Sequence, residues 1–166
     1  EAGRIGGLDI QLVYFRGFGE CRASKWVSDA TRLANLMTRI DCRGGHTQIR
    51  KVLKHAVAET RRQKVQALVY VGDCMGEDVD ALCAMAGEVG LLGVPTFMFQ
   101  EGNEGVAEKA FREIARLTNG AYCRFSAASA KELRDLLRAV AVYAAGGRKA
   151  LADMGGRGGA GARLLI

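Results

Sequence analysis

The stretch Lys64–Asp80, KVQALVYVGDCMGEDVD, decides how the rest of the chain is interpreted. Val65–Val71 is a short apolar run rich in β-branched residues, which predicts a strand buried on both faces of a parallel sheet. The run stops at Gly72-Asp73, so Asp73 lies at the carboxyl end of that strand, where open α/β sheets bind their ligands. Any chemistry or metal binding is therefore expected near Asp73. The alternative is that Asp73 only caps the following helix or closes a turn.

Outward from this stretch, apolar residues alternate between the spacing of strands and the spacing of helices. Such alternation predicts an α/β fold, a doubly wound and mostly parallel sheet with helices on both faces. The predicted strands are Leu8–Phe15, Cys21–Trp26, Val65–Val71, Val94–Gln100 and Ala121–Phe125. The predicted helices are Ser28–Ile40, a helix from Thr47 to about Arg61, a helix from Asp78 to Gly90, Val106–Leu117, and a helix from Ser129 to Gly146-Gly147.

Two glycines in Arg16–Glu20 indicate a hairpin turn between the first two strands. Hairpin neighbours are antiparallel, so we expect one antiparallel strand at the edge of the sheet. Residues 1–147 are predicted to form one domain. From Arg148 the composition shifts to glycine and alanine, so residues 148–166 are predicted to be a flexible tail.

Composition excludes several classes of protein. A chain of 166 residues that is 49% hydrophobic is long enough for one sizeable core. No apolar run approaches the roughly 20 residues of a membrane span, and no export signal is visible, so a cytoplasmic protein with no membrane partner is expected.

The formal charge of +6 is spread among acidic residues without a basic stripe, which argues against nucleic acid as a partner. The five cysteines lack metal or disulfide spacing, and we expect them to be reduced: Cys21, Cys42, Cys74, Cys83 and Cys123.

A second loop, rich in glycine, precedes another predicted helix. Arg43-Gly44-Gly45 breaks the chain between two predicted helices, and His46-Thr47 follows at the start of the second helix. The loop therefore presents the Thr47 hydroxyl beside a helix start. Gly45 and His46 flank Thr47 and are candidates for contact with a partner. A surface histidine with no role is the simpler interpretation of His46.

These features together resemble a von Willebrand factor type A domain. Gly44-Gly45-His46-Thr47 is similar to that family's Gly-Gly-x-Thr loop, and Val69–Asp73 is similar to its hydrophobic strand ending in aspartate. Phe111–Phe125, FREIARLTNGAYCRF, looks like its late helix, Asn/Gly stop and aromatic strand. The match extends over nearly all of Leu8–Ala144.

The resemblance implies a non-enzymatic protein-interaction module with a metal-ion-dependent adhesion site. In such domains the ion, usually Mg²⁺, is held by an Asp-x-Ser-x-Ser loop, a threonine and an aspartate, and Thr47 and Asp73 match the last two. Mn²⁺ or Ca²⁺ is the substitute expected at such a site. The partner would be a protein that offers an acidic residue, and self-association is left open. Cys74, Glu77 and Asp78 follow Asp73 closely and are further candidates for partner contact, although acidic residues also favour a helix start.

The Asp-x-Ser-x-Ser loop of the family has no counterpart in the sequence. In the family the strand before that loop lies between those that match Leu8–Phe15 and Val65–Val71. Without it two half-sheets would be left with unpaired backbone groups. We therefore expect an upstream segment that supplies the strand and the loop, or else a perturbed sheet.

Two other functions remain open. Gly72-Asp73 with Asp78 looks like the acidic late motif of haloacid-dehalogenase-type phosphatases, but the required Asp-x-Asp pair is missing because Ile10-Gln11 follows Asp9. The other alternative is a metal-independent interaction scaffold, whose partner binding EDTA would leave unchanged.

Overall fold

The computed structural model describes residues 7–40, 45–126 and 128–166. Gly44 of the predicted loop and Cys42 lie outside the described residues. The chain is a mixed α/β protein. Its strands are β1 (Val13–Arg16), β2 (Glu20–Ala23), β3 (Leu68–Gly72), β4 (Thr96–Glu101) and β5 (Tyr122–Phe125). Its helices are α1 (Ala30–Met37), α2 (Ile49–Arg62), α3 (Val79–Leu91), α4 (Gly105–Leu117), α5 (Ala130–Gly156) and α6 (Ala160–Leu165).

The predicted parallel sheet is present, with three strands in the order β3-β4-β5. Tyr70 of β3 is opposite Met98 of β4, and Met98 is opposite Tyr122 of β5. Helices connect these strands, as parallel pairing requires. The carboxyl ends of the three strands consequently lie at one edge of the sheet.

Two apolar clusters cover the two faces of this sheet. Met98 of the central strand packs into the first cluster with residues of α2, α3 and α4. Its neighbours Phe97 and Phe99 point the other way, into the second cluster with residues of α5 and α6. Because successive residues of a strand face opposite sides, an unbroken apolar run such as β4 is what burial on both faces demands.

The hairpin is antiparallel as predicted, with Tyr14 opposite Arg22, but its place in the sheet was predicted wrongly. Among the described residues β1 and β2 form a separate two-stranded sheet instead of the edge of the parallel sheet. The strands are also shorter than predicted. Ile10 and Val27 form only an isolated bridge before and after the hairpin strands.

The C-terminal residues differ from the predicted flexible tail. The backbone leaves helical geometry at Gly147, where φ is 68°, so the predicted helix end is a kink, and α5 then continues to Gly156. After a turn, α6 follows. Leu151, Ala162 and Leu165 are buried in the second cluster. The composition suggested a tail because glycine and alanine carry little apolar area, but here small residues let two helices pack closely.

Candidate functional site

Three loops meet at the carboxyl end of β3. The His46 amide donates to the Gly17 carbonyl at 3.1 Å, which joins the hairpin turn to the loop before α2. The Gly76 amide donates to the Thr47 hydroxyl at 3.0 Å, which joins that loop to the one after β3. We call this surface the rim and define it as residues 17–19, 45–48 and 70–78.

Gly45 is required where these loops touch. A Cβ at Gly45 would lie 2.1 Å from the Gly17 carbonyl oxygen, a backbone atom that cannot swing away. The hairpin turn therefore packs directly against the backbone of Gly45. Gly45 thus has a packing role that accounts for it without a partner.

Thr47 and Asp73, the two predicted metal ligands, belong to this same rim. The Thr47 hydroxyl is half-buried and accepts one hydrogen bond from Gly76, which leaves it a lone pair and its own proton. Asp73 directly follows β3 and is exposed. It is one of the causes of the raised pKa of its neighbour, the Cys74 thiol. One residue therefore offers a hydroxyl oxygen and the other a carboxylate oxygen at one end of the sheet.

Glu77 has a structural role that the sequence did not predict. Its carboxylate accepts from the amides of Ile49 at 2.5 Å and Arg50 at 3.1 Å, at the N-terminus of α2. The N-cap residue Gln48 makes no capping bond of its own there. Glu77 thus caps a helix 28 residues away in sequence, since helix starts leave amides that need acceptors.

Asp78 is the cap of the helix that follows it. Its Oδ1 accepts from the Ala81 amide at 2.8 Å at the start of α3. This is the role that acidic residues at a helix start were expected to have. The carboxylates of Glu77 and Asp78 are therefore both engaged in capping helices. Their contact with a partner stays a prediction.

Tyr70 is a rim residue that sequence reasoning missed. Its ring is only 6% exposed and stacks on Phe15 with centroids 6.2 Å apart, while Phe111 meets it edge-on at 5.3 Å. The hydroxyl lies beside Gly72, where a Cβ would be 2.8 Å from it. Burial is the main cause that raises the pKa of Tyr70. The nearby charges of Glu77 and of the two residues that follow Gly72 raise it further. The sequence did hold an indication of its role, because Tyr70 is the one residue with a hydroxyl group in an otherwise aliphatic strand.

Phe18 is the second residue that was missed. It stands at the tip of the hairpin with 85% of its surface exposed and contacts the His46 ring edge-on, with centroids 5.0 Å apart. Val71 at the end of β3 is also 43% exposed. An exposed phenylalanine and an exposed valine beside Asp73 make the rim partly apolar, a composition found in surfaces that bind proteins.

The surroundings of Cys74 do not activate its thiol as a nucleophile. The thiol is exposed, yet desolvation, followed by the hydrogen bond and charge of Asp73, raises its pKa. A raised thiol pKa means less thiolate, which is the reactive form. Its position beside Asp73 therefore protects the thiol instead of activating it.

The donor chemistry of the rim fits Mg²⁺ in type, because hard cations take hydroxyl and carboxylate oxygens. The number of donors is small. Among the residues that the structure describes, no group of three or more His, Cys, Asp or Glu side chains is placed to hold a metal ion. Thr47 and Asp73 would therefore hold Mg²⁺ only together with oxygens that another molecule or segment supplies.

A cavity lies away from the rim, beside β5. It has a volume of about 300 Å³ and is lined by Glu108, Arg112, Tyr122, Cys123, Arg124 and Leu164. Both guanidinium groups pair with Glu108, and Arg112 also lies 4.4 Å from the centre of the Tyr122 ring. Burial raises the pKa of the Cys123 thiol to about 11. Glu108 thus neutralises one of the two positive charges of this cavity.

Within the described ranges no helix has the length and apolar character needed to cross a bilayer. Comparison of the chain with protein-family models, with curated proteins and with solved structures gives no match. The resemblance to von Willebrand factor type A domains therefore rests on the motifs quoted above.

Proposed function

We propose that this chain is a non-enzymatic protein-interaction module of the von Willebrand factor A type, which binds a protein partner at the rim. In this proposal the parallel sheet, with helices on both faces, is the core of a doubly wound sandwich. Mg²⁺ would be held by Thr47, Asp73 and an acidic residue of the partner. The ion would supply a positive charge that draws two carboxylates to one point.

The observation that carries the proposal is the hydrogen bond from the Gly76 amide to the Thr47 hydroxyl, at 3.0 Å. It fixes the threonine loop on the loop that begins at Asp73. The same two residues were expected to lie together from the family resemblance. Asp73 stands at the carboxyl end of β3, where α/β proteins bind ligands, and the Gly76 amide holds the Thr47 hydroxyl against the same loop.

The experiment is selection of peptides that bind the immobilised protein in the presence of Mg²⁺. Selected peptides are expected to contain Asp or Glu. EDTA should abolish binding because it removes the ion, whereas Thr47→Val and Asp73→Asn should each weaken binding about tenfold or more because each removes one ligand of that ion. Thr47→Ser keeps the hydroxyl and should retain binding. Asp80→Asn removes an exposed acidic residue of α3 and is the matched control. Binding that survives EDTA would contradict the metal-dependent proposal.

A second candidate function is protein binding without a metal ion. It is favoured by Glu77, whose two carboxylate oxygens are both engaged by α2, and by Phe18, which is the most exposed aromatic residue of the rim. In this case Phe18→Ser should abolish binding while EDTA and Asp73→Asn leave it unchanged. The same peptide selection therefore separates the two candidates.

A further inference from the structure

The cavity beside β5 carries more positive than negative charge. Arg112 of α4 and Arg124 of β5 both pair with Glu108, which is the one acidic residue among those that line the cavity. One cation is enough to neutralise a carboxylate, so one positive charge is left over. The Cys123 thiol also lines the cavity, but burial raises its pKa to about 11, so it is neutral at pH 7 and adds no negative charge.

The ion pairs with Glu108 leave guanidinium donors unused. A guanidinium group has five N–H donors. Arg112 donates to Oε1 of Glu108 from its Nε at 3.0 Å, and its Nη2 lies 2.9 Å from the same oxygen. Arg124 donates to Oε2 from its Nη2 alone. Glu108 therefore holds the two guanidinium groups side by side, each with N–H groups that a second oxyanion can bind.

Buried neighbours and a ring contact fix both arginines in place. Arg124 lies between Cys123 and Phe125 on β5, and both of these side chains are buried in the second cluster. The guanidinium carbon of Arg112 lies 4.4 Å from the centre of the Tyr122 ring, where the cation is attracted to the ring face. Donors that are already ordered lose little freedom when a ligand binds, which favours affinity.

Tyr122 is itself anchored by a buried amide. Its hydroxyl donates to Oε1 of Gln100 at 2.7 Å, and Gln100 is fully buried. Nε2 of Gln100 donates in turn to the Glu104 carbonyl at 2.8 Å. These bonds hold the ring on which Arg112 lies. This side of the cavity is therefore formed before any ligand arrives, as is usual in sites for small molecules.

Leu164 of α6 gives the cavity an apolar wall. The Cys123 thiol lies 3.5 Å from the Leu164 carbonyl oxygen, a contact that joins α6 to β5. The Leu164 side chain nevertheless remains 61% exposed. An apolar group in the cavity would cover this side chain, which is favourable because apolar surface leaves water. The volume of about 300 Å³ is at the lower end of the range for small-molecule sites.

We propose that this cavity binds a small organic oxyanion, in which a carboxylate or phosphate group is carried on an apolar body. The acidic head would accept hydrogen bonds from Arg112 and Arg124, and the apolar body would lie against Leu164. Guanidinium groups suit both kinds of head, because their planar array of N–H donors matches the oxygens of either. The site is separate from the rim and needs no metal ion, so its test does not depend on the function proposed for the rim.

The experiment is an NMR titration of the whole chain. Binding is followed at the methyl groups of Leu164 and at the Nε–H groups of Arg112 and Arg124. The probes are benzoate and phenyl phosphate, with benzyl alcohol as an uncharged probe of similar size. Both anions should shift all three signals in a saturable manner, and benzyl alcohol at the same concentration should shift none. The anion that binds more tightly identifies the head that the cavity prefers.

Arg112→Gln and Arg116→Gln are a matched pair of variants on α4. Each arginine pairs with a glutamate of the same helix, and the side chains are 61% and 67% exposed, but Arg116 does not line the cavity. Arg112→Gln should weaken binding of the anions about tenfold or more, because a charge-assisted donor is lost. Arg116→Gln removes the same charge and should change binding by less than about twofold, because solvent screens a charge that makes no contact.

Three results would each overturn the proposal. The first is an equal effect of the two arginine substitutions, since net charge alone would then explain binding. The second is binding of benzyl alcohol as tight as that of benzoate. The third is a set of shifts that rise linearly up to about 20 mM anion, which would mean an affinity too weak for a formed site. Glu108 and its arginines would then be an exposed ion network only.

Discussion

The carboxylate of Glu77 should stabilise α2, although it belongs to the loop of another helix. The proposed change is Glu77→Gln, which keeps the shape of the side chain but leaves one oxygen acceptor where two now receive the amides of Ile49 and Arg50. The change also removes a negative charge from the positive end of the helix dipole. Gln48, the N-cap residue, provides no capping bond and so does not compensate for the loss.

The magnitude follows from the contacts. Loss of an N-cap costs about 0.5–2 kcal/mol, and the lost bond is charge-assisted, so we expect the free energy of unfolding to fall by about 1.5 kcal/mol. For a chain of this size each kcal/mol lowers Tm by about 2–4 °C, which gives a decrease of about 3–6 °C. Differential scanning calorimetry measures the decrease. Hydrogen exchange at the amides of Ile49 and Arg50 should accelerate more than exchange at the end of α2.

Glu88→Gln is the matched control. Glu88 pairs with Arg61 across α3 and α2 at 2.7 Å, but both side chains are well exposed. Exposed ion pairs contribute little, so Tm should fall by about 1 °C or less. Equal decreases for Glu77→Gln and Glu88→Gln would refute the capping role. The rim would then be held by the Thr47 bond without Glu77.

Two further predictions concern Tyr70 and the C-terminal helices. The raised pKa of Tyr70 means that the folded protein holds the phenol proton more tightly than the unfolded chain does, so its contribution is complete below about pH 10 and is lost as pH rises beyond that value. Urea titrations should therefore show a steeper loss of stability above pH 10 in the wild type than in Tyr70→Phe, and parallel curves would contradict the assignment. Gly161→Ala should destabilise the protein by about 1–3 kcal/mol, because the new methyl would lie 2.2 Å from the Asp135 carbonyl oxygen of α5. Gly156→Ala meets open space and should change stability by less than about 0.5 kcal/mol, and similar unfolding midpoints for the two variants would argue against packed C-terminal helices.

The parallel sheet was predictable because its strands carry a strong local signal. An unbroken run such as Val94–Gln100 has no polar face, and only burial on both sides suits it. The structure places β4 there, with a shift of one or two residues at each end. The capping of α5 by Ser129 was predictable for a similar reason, since the Glu132 amide donates to its hydroxyl three residues away.

Features that depend on distant contacts were not predictable. Nothing in the local sequence indicates that Glu77 caps α2 instead of α3, because the two partners are 28 residues apart. The C-terminal helices were missed because composition alone suggested flexibility. The decisive fact is the close approach of Gly161 to the backbone of α5, which becomes visible only after α5 and α6 are placed.

Of the candidate site, the sequence indicated the two loops but not the residues that join them. Thr47 and Asp73 were recognisable because each stands at a break between elements. The bond that holds their loops together involves the amide of Gly76, which no side-chain pattern reveals. Phe18 was treated as part of a turn, since its contact with His46 depends on how the hairpin tip lies against the loop before α2.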